Sequence, residues 1–473
     1  MLQEVSAQSL NTVMLFSAGA ILAVVGGLAM FLMPLRFRLA IMTILAVPQL
    51  IVPGLIESAS VFQVWVASCG IVAMIREKPK FPSIYGKLLA TLAILALVAA
   101  LWSPLINISM IAAMQVISLL IIALHAAYVL KESPAGLTLA FRWLSVSVIA
   151  EAALVVLFRL RPDLEGAFLQ TQVAKLLIGT EKLNNFFAGS PDNVFDPEKA
   201  GGLWLNANTA SMFLGVAACA FVVAYKRYQS KWFLVTAAIA ASSISFAGSK
   251  TGLVLLATMP LIAWVTPLLA RRRGRAWILP TALVAFPVFL AVQSLIDAIL
   301  PAKFAEDSAL SLGTRAVIWD VASELFMEHP VLGLGFGGWG ENFFAYSGGA
   351  LGRTFPPHNI LIATWSDYGI GGAAVLVALI IALIFGHLRR MGSPPVPVSS
   401  AWGWSLAAFL WTWIHGMADA TTFYGDIRTA TVLGLLTGFL LYDPQVAEIK
   451  RVRLMSSTTD APFAACGPNA PSA

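Results

Sequence analysis

The chain has 473 residues, 59% of them hydrophobic and only 11% charged, with 14 tryptophans, a mean hydropathy of +0.82 and a formal net charge of +6. A soluble domain with so few charges could not solvate its surface, so the protein uses lipid as its solvent. The positive balance gives no support to nucleic-acid binding, which needs a clustered basic face with aromatic or groove-reading elements.

Apolar stretches long enough for a bilayer recur at about 13–33, 39–55, 59–75, 88–101, 105–130, 141–160, 203–225, 232–247, 252–270, 277–300, 360–386, 401–418 and 429–442. The reading is an all-α integral membrane protein of twelve or thirteen spans. The uncertain span is the second, where Pro48 and Pro53 mark a kinked or re-entrant segment. No cleavable leader is expected, because Met1 to Asn11 lacks a basic start. Glu151, inside the span 141–160, is expensive in lipid and is expected to pair with Arg142 or Arg159 or to face a cavity. Cys69, Cys219 and Cys466 have neither ligand nor disulfide spacing, and no metal or cofactor is expected.

Basic residues fall into every second connection: Arg36 and Arg38; Arg76 to Lys87; Lys131 and Arg142; Lys226 to Lys231; Arg271 to Arg275; Arg389 and Arg390; Lys450 to Arg453. Twenty of the 30 basic residues lie there, which assigns these connections to the cytoplasm. The chain then divides into N-terminal spans (1–160), an outer loop (161–202), spans (203–300), an outer loop expected to carry the chemistry (301–359), C-terminal spans (360–442) and a Ser/Pro/Ala-rich cytoplasmic tail (443–473). Two long connections on the outer face call for a function, since structureless loops of that length are uncommon.

Within the first loop, Phe168, Val173, Leu176 and Leu177 are spaced for one face of a surface helix, and Ser190-Pro191-Asp192-Asn193 breaks it. Asn206 and Asn208 open the next span, where they cap it or line a pocket. Gly248-Ser249-Lys250-Thr251-Gly252 sets a cation at the membrane border, suited to an anion at headgroup depth or marking only a helix end. From Thr314 to Glu328 the apolar residues recur at helical spacing. Thr314 is expected to cap this short helix, and Arg315 in its first turn can clamp phosphate oxygens or pair with Asp320 or Glu306. Gly335-Phe336-Gly337-Gly338-Trp339-Gly340 satisfies G-x-G-x-x-G, but no strand and αβ unit surround it, so it reads as a close-packed turn. His358, one of five histidines, follows two prolines and Asn359 follows it, at the border between polar loop and apolar helix. An imidazole there can move a proton, bind substrate or cap the helix. His329 reads as structural, and His415 lies near the last outer turn with Asp419.

Gly313-Thr314-Arg315, Ile318-Trp319, the run from His329 to Gly335, and Pro356-Pro357-His358-Asn359 followed by Tyr368-Gly369-Ile370-Gly371-Gly372 closely resemble the O-antigen ligase and polysaccharide polymerase family of bacterial membrane glycosyltransferases. The resemblance spans roughly residues 200–385; family members usually carry Ser-Arg where this chain has Ser249-Lys250, which loses the bidentate fork. It implies a GT-C-like fold in the bacterial inner membrane, with its active site on the periplasmic face. The implied donor is an undecaprenyl-diphosphate-linked glycan and the acceptor a glycan or lipid A-core. Arg315 and Lys250 are then assigned to the diphosphate, His358 to the acceptor proton or the leaving group, and Asn206, Asn208 and Asn359 to the pocket. Ligase and polymerase share these motifs. A transporter or flippase of a lipid-linked glycan is the alternative class; it predicts paired charges near mid-membrane or inverted repeats, and Glu151 and Asp297 are its only footholds.

The topology is testable: a Ser347→Cys variant is expected to react with an impermeant thiol reagent in spheroplasts with the inner membrane sealed. Labelling that begins only after the inner membrane is ruptured reverses the orientation.

Overall fold

A computed structural model describes residues 27–51, 60–79, 83–189, 196, 198–270, 302–349, 351–352, 354–392, 396–417, 419 and 421–442. The expected span 277–300, most of 13–33, the basic run Arg271 to Arg275 and the tail 443–473 lie outside them. The protein is all-helical and membrane-embedded. In order come α1 (Leu35–Leu45), α2 (Val61–Arg76), α3 (Ile84–Ala99), α4 (Ile106–Glu132), α5 (Leu137–Leu160), the short α6 (Pro162–Leu169), α7 (Gln172–Ile178) and α8 (Thr180–Gly189), then α9 (Ala207–Tyr228), α10 (Lys231–Ala247) and α11 (Lys250–Leu269). After the undescribed stretch follow α12 (Ala302–Glu328), α13 (Gly338–Tyr346), α14 (Ile360–Met391), α15 (Val396–Gly416) and α16 (Ile427–Leu441). Five of these, α4, α5, α9, α11 and α14, are long and apolar enough to cross a bilayer, and α2, α3, α10 and α16 are shorter apolar helices.

α9 and α16 are the centre. Of the most apolar window of α9, 83% is buried, against 33 to 44% in the other four long apolar helices, and α16 is buried from Ile427 to Leu440. Small residues bring their neighbours close. Gly434 and Gly438 of α16, four residues apart, lie against Ile122 and Ala126 of α4, where a Cβ at 438 would stand 2.4 Å from that of Ala126. Gly215 of α9 receives the ring of Trp411 from α15. With lipid tails as apolar as leucine, such close backbone packing is what drives helix association.

The second expected span, 39–55, is broken where its prolines fall. α1 ends at Leu45, eleven residues and about 16 Å from its start, too short to cross a bilayer. Gln49 and Leu50 take positive φ after Pro48, and the chain turns back through an Ile51–Ser60 bridge, with Ile51 N–H donating to Leu176 of α7. Arg38, read as a loop cation, is instead fully buried on α1 and paired with Glu77.

Glu151 is buried, and its carboxylate accepts from Leu203 N–H at 3.2 Å. Its neighbouring positive charge is Arg428 of α16, rather than Arg142 or Arg159. Arg428 also donates to Leu203 O and stacks 4.2 Å from the Trp204 ring, while Trp204 Nε1 donates to Asp426, the residue that caps α16 through Thr429 N–H.

α14 is broken. Gly369 has φ 73° and ψ −173°, a conformation essentially confined to glycine. The chain 331–335 fills the break: Leu334 and Gly335 N–H both donate to Ser366 O, and Ile370 N–H donates to Val331 O at 3.1 Å. Ile360 packs on Gly416 at the end of α15, yet Leu376 shares a cavity wall with Trp413, three residues from Gly416. A straight helix would separate Ile360 from Leu376 by about 24 Å along its axis, so the break redirects 360–368 across the end of the bundle.

At Gly369 an added Cβ would meet Val331 O at 2.0 Å, so Gly369→Val is expected to destabilise the protein by about 2 kcal/mol or more. The apparent thermal midpoint in detergent checks it; an unchanged midpoint means the break is dispensable.

Candidate active site

His358 is delivered by a stiff, well-anchored approach. Trp339 Nε1 of α13 donates to Phe355 O at 2.7 Å, Pro356 and Pro357 follow, and Asn359 ends the loop as N-cap of α14, accepting from Leu361 and Ile362 N–H. The approach rests on a small core of its own, made by Ile318, Val321 and Leu325 of α12, Trp339 and Phe343 of α13 and Trp365 of α14. His358 itself has φ 47° and is partly buried.

Facing it is Asp419, in the turn between α15 and α16: His358 Nδ1 stands 3.6 Å from Asp419 Oδ1. That is longer than a hydrogen bond, but a small rotation closes it, and such contacts commonly tighten only with substrate bound. Asp419 is also the negative charge beside Arg315, whose guanidinium is lowered from its ordinary value by burial and raised again by that carboxylate. Arg315 lies within α12, which begins at Ala302, so the expected short helix capped by Thr314 is the second half of a longer one that runs through Gly313. An interior glycine costs a helix only about 1 kcal/mol, which packing of Ile318, Val321 and Leu325 offsets.

From Asp419 the site extends to α9. His415 is buried between Asp419 and the main-chain carbonyl of Asn208, which also accepts from Ser211 Oγ at 2.7 Å. Ser211 in turn touches α11, where a Cβ at Gly252 would stand 2.7 Å from its Oγ. Lys250 opens that helix, behind Ser249, which caps it through Gly252 N–H. Asn206 caps α9, accepting from Asn208 and Thr209 N–H. Thus His358, Arg315, Asp419, His415 and the Asn208 carbonyl come together, Lys250 is the first residue of α11, two before the Gly252 that meets Ser211, and the side-chain oxygens of Asn206 and Asn359 hold helix ends. Asp419 is the residue the sequence reading did not assign; its only signal was its place four residues after His415, at the loop end of an apolar span.

The G-x-G-x-x-G stretch makes a packing turn. Gly335 and Gly337 have positive φ and press on Trp102, Ser103 and Leu105, and Ser103 Oγ donates to Phe336 O. A small apolar cavity lies among Leu119, Leu376, Leu383, Trp413 and Tyr424.

Residues 200–377 match the family model described as O-antigen ligase. This segment is an O-antigen ligase family domain. It covers less than half of the chain, and holds Asn206, Asn208, Lys250, Arg315, His358 and Asn359, while His415 and Asp419 lie beyond it. No curated protein matches the chain significantly. The domain gives the protein an O-antigen ligase-like function in polysaccharide biosynthesis, with glycans and membrane lipids as its chemical setting.

In an assay of glycan transfer, Asp419→Asn is expected to lower turnover by on the order of 10-fold or more with little change in donor KM, because it removes the charge that orients an imidazole. Unchanged turnover would leave Asp419 a bystander.

Proposed function

We propose that the protein is a membrane glycosyltransferase of the bacterial inner membrane. It moves a glycan from undecaprenyl diphosphate to a sugar hydroxyl at the periplasmic face, on a second glycan or on lipid A-core. The observation that carries this reading is the His358–Asp419 contact beside Arg315, at one end of a helix bundle that carries an O-antigen ligase domain. The acceptor hydroxyl attacks the anomeric carbon, the bond from that carbon to the diphosphate oxygen breaks, and the acceptor proton passes to His358, oriented by Asp419. Arg315 and Lys250 neutralise the charge that builds on the departing diphosphate, where a low-dielectric setting makes fixed cations effective. In the reverse assignment His358 binds the leaving diphosphate.

Purified protein in defined vesicles with lipid-linked glycan and acceptor is expected to release undecaprenyl diphosphate; a flippase would leave that bond intact. His358→Gln should lower transfer by on the order of 10²-fold or more while donor still binds. Arg315→Ala and Lys250→Ala should each weaken donor use severely, with Lys250→Arg retaining much of it. Normal turnover in His358→Gln reduces the histidine to a loop element, and lost donor binding makes it a phosphate ligand.

A further inference from the structure

The turn that joins α12 to the 331–335 segment carries an exposed apolar crest. Met327 is 77% exposed, Val331 67% and Leu332 56%, with Phe326 beside them packed at a tilt on Trp365. In water such a cluster is costly and marks a surface that meets another apolar phase.

What that phase is follows from where the turn is bolted. Val331 O accepts from Ile370 N–H, and Trp365 Nε1 donates to Pro330 O, so the crest is fixed at the break in α14. Below the break, residues 370–386 form an uncharged apolar run of seventeen residues, about 26 Å of helix, close to the roughly 30 Å thickness of a bilayer core. Ile370, Val377, Ile381 and Phe385 are exposed along one face of that run, a spacing of seven, four and four. This is a lipid-facing stripe, and its outermost member, Ile370, is the residue hydrogen-bonded to Val331. The crest therefore continues an apolar surface that acyl chains already cover. Its polar neighbours point to shallow immersion: Glu328 and His329 are exposed in the same turn, and Glu328 accepts from Tyr346 O–H on the α13 side.

We propose that the 327–332 turn is immersed in the lipid leaflet at the loop end of the bundle, at the boundary between headgroups and acyl chains, with Met327, Val331 and Leu332 among the tails. An amphipathic segment with this arrangement buries its apolar side roughly 5–10 Å into that boundary. The turn then acts as a depth gauge for α12, and so for Arg315 thirteen residues upstream of Glu328.

The test is collision accessibility of a nitroxide in the full chain reconstituted in vesicles. Cys69 and Cys219 are buried, and Cys466 is replaced by serine to leave a single labelled site. Labels on Leu332→Cys and Met327→Cys are expected to relax several-fold more with oxygen than with a water-soluble nickel chelate, matching a lipid reference at Val377→Cys and opposing a water reference at Lys131→Cys. Two positions guard against one label disturbing the turn. If both behave like Lys131 while Val377 still favours oxygen, the turn stands in water and the proposal is wrong. The readout does not depend on glycan transfer, so it stands or falls apart from the enzymatic reading.

Discussion

A backbone amide has no partner in hydrocarbon, and that constraint organises this protein more than any side chain does. α14 stops being a helix at Gly369, at the edge of its apolar run, which would strand carbonyls and N–H groups where water is scarce. The segment 331–335 supplies the missing partners from its own main chain, giving two N–H donors to Ser366 O and one acceptor to Ile370 N–H. The connection that carries His358 is thereby bolted to the membrane domain by backbone, and the half-helix above the break is turned so that its first residue reaches Gly416. Without this exchange His358 and Asp419 would belong to unrelated parts of the molecule.

A second device works beside it. Glu151, Arg428, Trp204 and Asp426 tie together α5, the entry to α9 and the start of α16 in a buried polar network. Each member is expensive alone, and breaking such a set is far more damaging than its net contribution to stability suggests. Its place explains its presence: α9 and α16 are central, largely enclosed helices, and their loop ends flank the turn that carries Asp419.

Much of this was legible in residues. Hydropathy gave an all-helical membrane protein, and His358 and Arg315 stood out as polar groups where apolar segments begin. Asn206 and Asn359 read as helix openings, and as caps they are. Other features were hidden because they depend on partners far along the chain. Glu151 offered Arg142 and Arg159 within its own helix, while its charge partner sits nearly three hundred residues away on α16. Asp419 carries no motif, and only folding brings it against His358. The glycines from Gly333 to Gly337 looked like a turn, but nothing local says that Gly333 must lie against the Trp365 and Ser366 carbonyls of a broken helix. Proline, by contrast, was a local signal: Pro48 marks the kinked or re-entrant segment where α1 stops and the chain turns.

The positive φ of His358 gives the site a mechanical character of its own. For a residue with a Cβ the left-handed region costs about 1–2 kcal/mol, since Cβ crowds the carbonyl that follows. A glycine would relieve that crowding and an asparagine would tolerate it, so the imidazole is held in a slightly sprung posture by the Trp339 anchor on one side and the Asn359 cap on the other. The ring's aim is therefore inherited from main-chain torsion, and loosening either anchor would let it swing away from the carboxylate even with every reactive atom still present.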